Sequence, residues 1–248
     1  MFKTLCKKVC VIFIIMSILG LMGCRNLDKN TVERIEKALT EKYGGTFKVL
    51  ALGNRYGTLT NDYVQADVKA VDSDVVFSAK MSPKGEILVD NYISKTVLSQ
   101  LEKMLNSNLE SEGITAKSMM FGFSKTKTGE VELGTSLSDY ISKYRPDFFS
   151  GYLVIKESPN NTGAALTNAF QKTFNEIQNI ELRANVWVIP EESYDEVVTG
   201  FSRLPDVSNS WFEDKETLSS FKFSVETDSV SPDENELNKL LQGGVKLD

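Results

Sequence analysis

Histidine is absent from all 248 residues, and that absence excludes more chemistry than any motif in the chain supplies. It removes Ser-His-Asp and Cys-His nucleophilic catalysis, His-ligated zinc, and the commonest general base near neutral pH. Cysteine is almost as scarce. Cys6, Cys10 and Cys24 are the three in the chain, so the long remainder holds no thiol for a disulfide, a metal or a nucleophile. No Gly-Lys dipeptide occurs, which excludes a Walker A phosphate loop. An enzyme built on this chain would have to work with Asp, Glu, Lys, Tyr or Ser, as carboxylate glycosidases and Ser-Lys acyl transferases do.

Long hydrophobic runs are also missing. The longest, Val9 to Met22, is interrupted by Cys10, Ser17 and Gly20 and falls short of the ~20 residues that span a bilayer. It has the length of a signal-peptide core, and Lys3, Lys7 and Lys8 precede it as a basic head. The tetrapeptide Leu21-Met22-Gly23-Cys24 resembles the lipobox of bacterial lipoproteins. A plain secretory signal calls for small residues where Leu21 and Met22 stand. The resemblance implies cleavage between Gly23 and Cys24, a diacylglyceryl thioether on Cys24 carrying palmitate-type chains, and attachment to the outer face of the cell membrane. Each acyl methylene buried in the bilayer contributes about 0.8 kcal/mol.

Loss of residues 1–23 removes three lysines and no acid, leaving 25 basic and 34 acidic residues, a net charge of −9. The basic residues are scattered among carboxylates, so nucleic acid is not an expected partner. An acidic surface also repels anionic lipid, so membrane contact is expected through the lipid on Cys24 alone.

The mature chain reads as α+β, an antiparallel sheet with packed helices, arranged as two small α+β units. After a tether over residues 24–29, Asn30 and Glu33 have capping-box spacing, and Val32, Ile35, Ala38, Leu39 and Tyr43 follow at helical intervals until Gly44-Gly45. Strands are expected at Phe47 to Leu52, Val64 to Ala70, Val75 to Met81 and Glu86 to Val89. The middle two alternate apolar and polar residues, and Ser82-Pro83-Lys84-Gly85 marks a tight turn. A long helix with Val97, Leu98, Leu101, Met104, Leu105 and Leu109 on one stripe is expected to lie across that sheet.

This helix, meander, helix order over residues 30–111 resembles PepSY-type domains, modules of secreted and membrane proteins associated with peptidase inhibition or regulation. The segments Glu41-Lys42-Tyr43-Gly44-Gly45-Thr46-Phe47 and Asp90-Asn91-Tyr92 are also similar to those of small lipoproteins of Gram-positive bacteria with no assigned chemistry.

Residues 112–248 read as a second α+β unit of ferredoxin-like type. A strand at Thr115 to Phe123 is expected to pair with Glu130 to Gly134. A helix around Leu137 to Tyr144, a strand at Tyr152 to Ile155, a helix around Leu166 to Ile177 and a strand at Leu182 to Val188 follow. Trp187, between Val186 and Val188, is expected in a strand buried on both faces. A helix through Tyr194 to Phe201 and a strand through Phe221 to Val225 come next, and Ser231-Pro232-Asp233-Glu234 reads as the start of the last helix.

Several patterns imitate sites. Ser124-Lys125-Thr126-Lys127 and Lys127-Thr128-Gly129 match two signatures of penicillin-binding proteins, but one Lys127 would have to serve both, so a polar turn is the reading. The acids at Asp72 and Asp74, and at Asp228, Asp233, Glu234 and Glu236, lack the spacing of a calcium loop. Asn160-Asn161-Thr162 has the form of a glycosylation sequon. Trp211-Phe212, in a polar stretch, is the candidate binding tip. No catalytic, metal or cofactor residue is assigned. The expected function is that of a lipid-anchored, non-enzymatic binding or assembly component with a protein or peptide partner. A carboxylate-based hydrolase and a solute-binding lipoprotein are the alternatives.

Overall fold

The structure, a computed structural model, describes residues 28–53, 62–125 and 131–243. Gly23, Cys24 and the signal segment lie outside these residues, as does the greater part of the Ser-x-x-Lys and Lys-Thr-Gly pattern. The chain is an α+β protein with two sheets. Among the described residues no helix is long and apolar enough to cross a membrane.

Helix α1 (Lys29–Tyr43) precedes the meander β1 (Phe47–Gly53), β2 (Val64–Ala70), β3 (Val75–Met81) and β4 (Ile87–Asp90), antiparallel throughout and in sequential order. The helix starts earlier than Asn30 predicts. Asp28 occupies the cap position and accepts a hydrogen bond from Thr31 Oγ1 at 2.6 Å, so Asn30 falls inside the first turn. Gly44 and Gly45 take positive φ, +70° and +74°, and end the helix where residues with a β-carbon would be strained. Ile35 and Leu39 bury against Phe47, Val49, Val68, Phe77 and Met81, while Gln65, Asp67, Lys69, Ser78 and Lys80 occupy the wetter face. The alternation of β2 and β3 thus has its expected cause.

Helix α2 (Tyr92–Ser111) departs from expectation. Only Tyr92, at its start, packs against the first core, whereas Val97, Leu98, Leu101, Leu105 and Leu109 belong to the core of the second sheet. The first sheet already has α1 on its apolar face, which leaves the stripe of α2 free to serve the other sheet.

That sheet runs β5 (Ala116–Phe123), β6 (Phe148–Lys156), β7 (Glu181–Ile189), β8 (Ser219–Val225) and β9 (Val230–Ser231), with α3 (Leu137–Tyr144), α4 (Gly163–Glu176), α5 (Glu191–Phe201), a 3₁₀ turn (Asn209–Phe212) and α6 (Glu234–Leu241) between or after the strands. The order is sequential, and β6 and β7 are adjacent parallel strands joined through α4. A ferredoxin-like unit splits its β-α-β pair by inserting another strand, so this sheet is not of that type. Strand β5 pairs with β6 over its full length instead of with residues 130–134. Of those, residue 130 lies outside the described residues and 131–134 are coil and turn. Gly151 permits the pairing, because a β-carbon there would meet Met119 O at 2.2 Å. Helix α6 begins after Pro232, not at it, since Ser231 still pairs with Ser224 in the sheet and Asp233 caps the helix through Glu236 N at 2.9 Å.

Both faces of this sheet are covered. Phe149, Leu153, Ile155, Val186, Val188, Phe221 and Phe223 face α2, α3, α4 and α6. Val154, Trp187 and Ile189 face Tyr194, Val197 and Phe201 of α5 and Phe212 of the 3₁₀ turn. Trp187 therefore sits in a two-sided strand as its apolar neighbours predict.

Candidate functional site

The candidate binding tip is half dismantled by packing. Phe212 is 1% exposed and lies flat on Trp187, ring centroids 4.3 Å apart and planes 5° from parallel. It closes the outer core and is not a surface contact. Trp211 is partly exposed, edge-on to Phe212 at 4.8 Å, with Lys215 Nζ 5.2 Å above its ring.

The lipoprotein-like segments meet in space. Tyr43 Oη donates to the Asp90 carboxylate at 2.8 Å, Lys42 Nζ reaches the same carboxylate at 2.8 Å, and the rings of Tyr43, Phe47, Phe77 and Tyr92 pack together. The Asp90 side chain is 2% exposed. This cluster ties the end of α1 to the end of β4, and its groups are all engaged with one another. The other imitated sites are also local structure. Asp72 accepts from Thr46 N, Asp74 pairs with Lys69, and Lys125 N donates to Asp147. Thr162 caps α4 through Ala165 N, and the Asn161 amide donates to Lys156 O. Among the described residues no group of three or more His, Cys, Asp or Glu is placed to hold a metal.

A cleft that no sequence motif marks lies between the two sheets. Its floor is a second stripe of α2, Lys95, Ser99, Glu102 and Asn106, which lies about 100° around the helix from the leucines. One wall is Ser73 to Val76, where β2 turns into β3; another is Lys117 to Met119 of the edge strand β5; the third is the end of α5 with Leu204 and Pro205. The cleft measures about 120 Å³.

An exposed sheet edge normally leaves backbone groups unpaired. Here Asn106 Oδ1 accepts from Ser118 N at 3.1 Å and Glu102 Oε1 from Met120 N at 2.8 Å, so side chains of α2 cap the open edge of β5. Asn91, just before α2, carries the β4 pairing one residue further along β3: its N–H donates to Ser78 O at 3.3 Å and its Oδ1 accepts from Ser78 N at 2.9 Å. Helix α2 is thus a wedge between the capped edge of β5 and the β2–β3 turn of the first sheet.

The charges within the wedge are perturbed. Burial pulls the Lys95 ammonium below the usual lysine range, opposed by Glu102 and Asp206. Burial pushes the Glu102 carboxyl above its usual range, opposed by the Met120 N–H, Lys95, Lys117 and Lys103. Lys95 is 7% exposed, and its Nζ sits 4.4 Å over the Phe121 ring. The sequence signal was available in the i, i+4, i+7, i+11 spacing of those four residues. Nothing local, however, distinguished that stripe from an ordinary solvated helix face.

A layered α+β chain with two sheets wedged on one helix is the class that this geometry defines. A similar fold occurs in a crystal structure, at 2.55 Å resolution, of a DUF5037 family protein from Ruminococcus gnavus ATCC 29149, with a TM-score of 0.60 and 14% sequence identity, covering 86% of this chain and 99% of that one. At that identity the likeness concerns the fold. No family model matches the chain, and a search among curated proteins finds no match.

Proposed function

We propose that the protein is a lipid-anchored, extracytoplasmic, non-enzymatic binding component, held at the membrane through Cys24 and presenting the cleft on α2 as its binding surface. The observation that carries the binding part is the cleft itself. The buried Lys95 and the half-buried Ser99, Glu102 and Asn106 of α2 line it, and both sheets contribute walls. The lipobox-like Leu21-Met22-Gly23-Cys24 supports the anchor, and the lack of histidine supports binding over hydrolysis.

Two experiments test this reading. Replacement Cys24→Ala should abolish fatty-acid labelling and leave an unprocessed precursor; continued labelling refutes the anchor. A photo-crosslinker at Ser99, within the cleft, should capture a defined neighbour or ligand in the native cell, whereas one at the exposed Lys37 on α1 should not. Equal capture at both positions refutes the cleft. A hydrolase is the second reading, favoured by one observation: Glu102 and Lys95, both shifted by burial, share the cleft. It requires that purified residues 25–248 cleave cell-wall glycans and that Glu102→Gln abolish the cleavage.

A further inference from the structure

We infer that the cleft receives the anionic head of a small metabolite, a carboxylate or a phosphate group, with Lys95 as its central contact. This inference rests on the reading of the cleft as the binding surface and adds the chemistry of what binds.

Lys95 carries the inference. It is 7% exposed and lines the cleft, yet among the described residues its ammonium forms no ion pair within 4.0 Å. The face of Phe121 lies beneath it, which attracts a cation but supplies no counter-charge. A buried ammonium without an anion is costly, so it marks a position where an anion is wanted. Glu102 and Asp206 influence it from a distance without pairing with it.

Ser73 makes a second, independent contribution. Its Oγ is buried without a hydrogen-bond partner, and the residue lines the same cleft from the β2–β3 turn. A hydroxyl left unpaired in the same cleft as a buried cation offers a second donor to an anion held there.

The balance of charge agrees. Lys103 and Lys117 also line the cleft and form no ion pair among the described residues. Of the acids in the lining, Asp74 is taken by Lys69, and one oxygen of Glu102 is taken by the Met120 N–H. Three lysines against two acids, one of them paired with Lys69 from outside the lining, leave the cleft more positive than the chain of net charge −6 around it, which favours anions. With about 120 Å³ available, the part of the ligand held inside is a head group and not a polymer.

Isothermal titration of residues 25–248, which contain every described residue, tests the inference with inorganic phosphate, succinate and glycerol at low ionic strength. At least one anion should bind and glycerol should not. Tighter phosphate binding identifies a phosphoryl ligand, and tighter succinate binding a carboxylate. Lys95→Met should weaken binding about tenfold or more, and Ser73→Ala about threefold, as expected for a charge-assisted and a neutral hydrogen bond. A thermal melt of Lys95→Met should be unchanged or higher, which separates lost binding from lost fold. Amide shifts in the unsubstituted protein should localise to residues 73–76 and 95–106 on anion addition. No binding of either anion, undiminished affinity in Lys95→Met, or shifts elsewhere overturns the inference. If anions are silent while the crosslinker at Ser99 still captures a specific neighbour, the cleft remains a binding surface and only its anionic ligand is refuted.

Discussion

The four-stranded sheet has one apolar face under α1 and one polar face, whereas the central strands of the five-stranded sheet are covered by helices on both sides. The first arrangement needs a single helix and writes itself into the sequence as alternation, Val64, Ala66, Val68 and Ala70 against Gln65, Asp67 and Lys69. The second needs two layers of helices, and its strands read as runs such as Val186-Trp187-Val188-Ile189. Because α2 joins the second core while its polar stripe faces the β2–β3 turn of the first sheet, the two arrangements share one element. A charged cleft forms along the seam between them, where neither core extends.

The comparison breaks most readily at the outer layer of the second sheet. Phe212→Ala is expected to cost about 3–5 kcal/mol, the usual range for an aromatic truncated in a core, measured by denaturant unfolding with Trp187 fluorescence as a second probe. A loss below about 1 kcal/mol would show that Phe212 is a surface tip after all and that the sheet has one dry face.

The clasp of the first sheet should respond less. Tyr43→Phe removes the hydroxyl that donates to the buried Asp90 carboxylate and should cost about 1–3 kcal/mol, with Lys42 still in place. No change would mean that Lys42 alone satisfies Asp90.

In the seam the sign reverses. Lys95→Met should stabilise the fold by about 1 kcal/mol, because a buried cation without a paired anion is replaced by an apolar chain of similar length. Thermal melting checks it, and a loss of stability would assign Lys95 a structural partner.

The smallest effect concerns pH. The folded Glu102 carboxyl titrates above its ordinary value of 4.5, so the folded state holds its proton more tightly than the unfolded state does. Its stabilising contribution is full below about pH 4.5 and is lost as pH rises through the raised folded value. Glu102→Gln keeps an acceptor for Met120 N and should flatten stability against pH in that window, with little change in stability at pH 4. An unchanged slope would place the titration on another group.

The fold class, the meander and most helix positions were legible because they depend on periodicity and on turn residues close in sequence. Gly44-Gly45 ended α1 and Ser82 to Gly85 made the turn as their residue types require. Cap positions were less legible. Asn30 and Pro232 have the right chemistry for helix starts, but the true caps are Asp28 and Asp233, chosen by where the preceding chain leaves its neighbours. The candidate site was barely legible in the sequence. Trp211-Phe212 stood out as aromatics in a polar stretch, yet Trp187, distant in sequence, supplied the surface that buries Phe212. Lys95 and Glu102 carried no mark that set them apart from solvated helix charges.

The sequence by itself determined the composition that rules out histidine chemistry and places no thiol after Cys24, the lipobox-like segment around Cys24, and the alternation that makes the first sheet one-sided. Only the tertiary structure decided which sheet receives the leucines of α2, that Phe212 closes a core, and that Lys95, Ser73 and Glu102 share one cleft. The reason is the range of the interactions. Turn chemistry and periodicity act within a few residues along the chain, whereas burial and charge pairing depend on which distant segments the packed cores bring together.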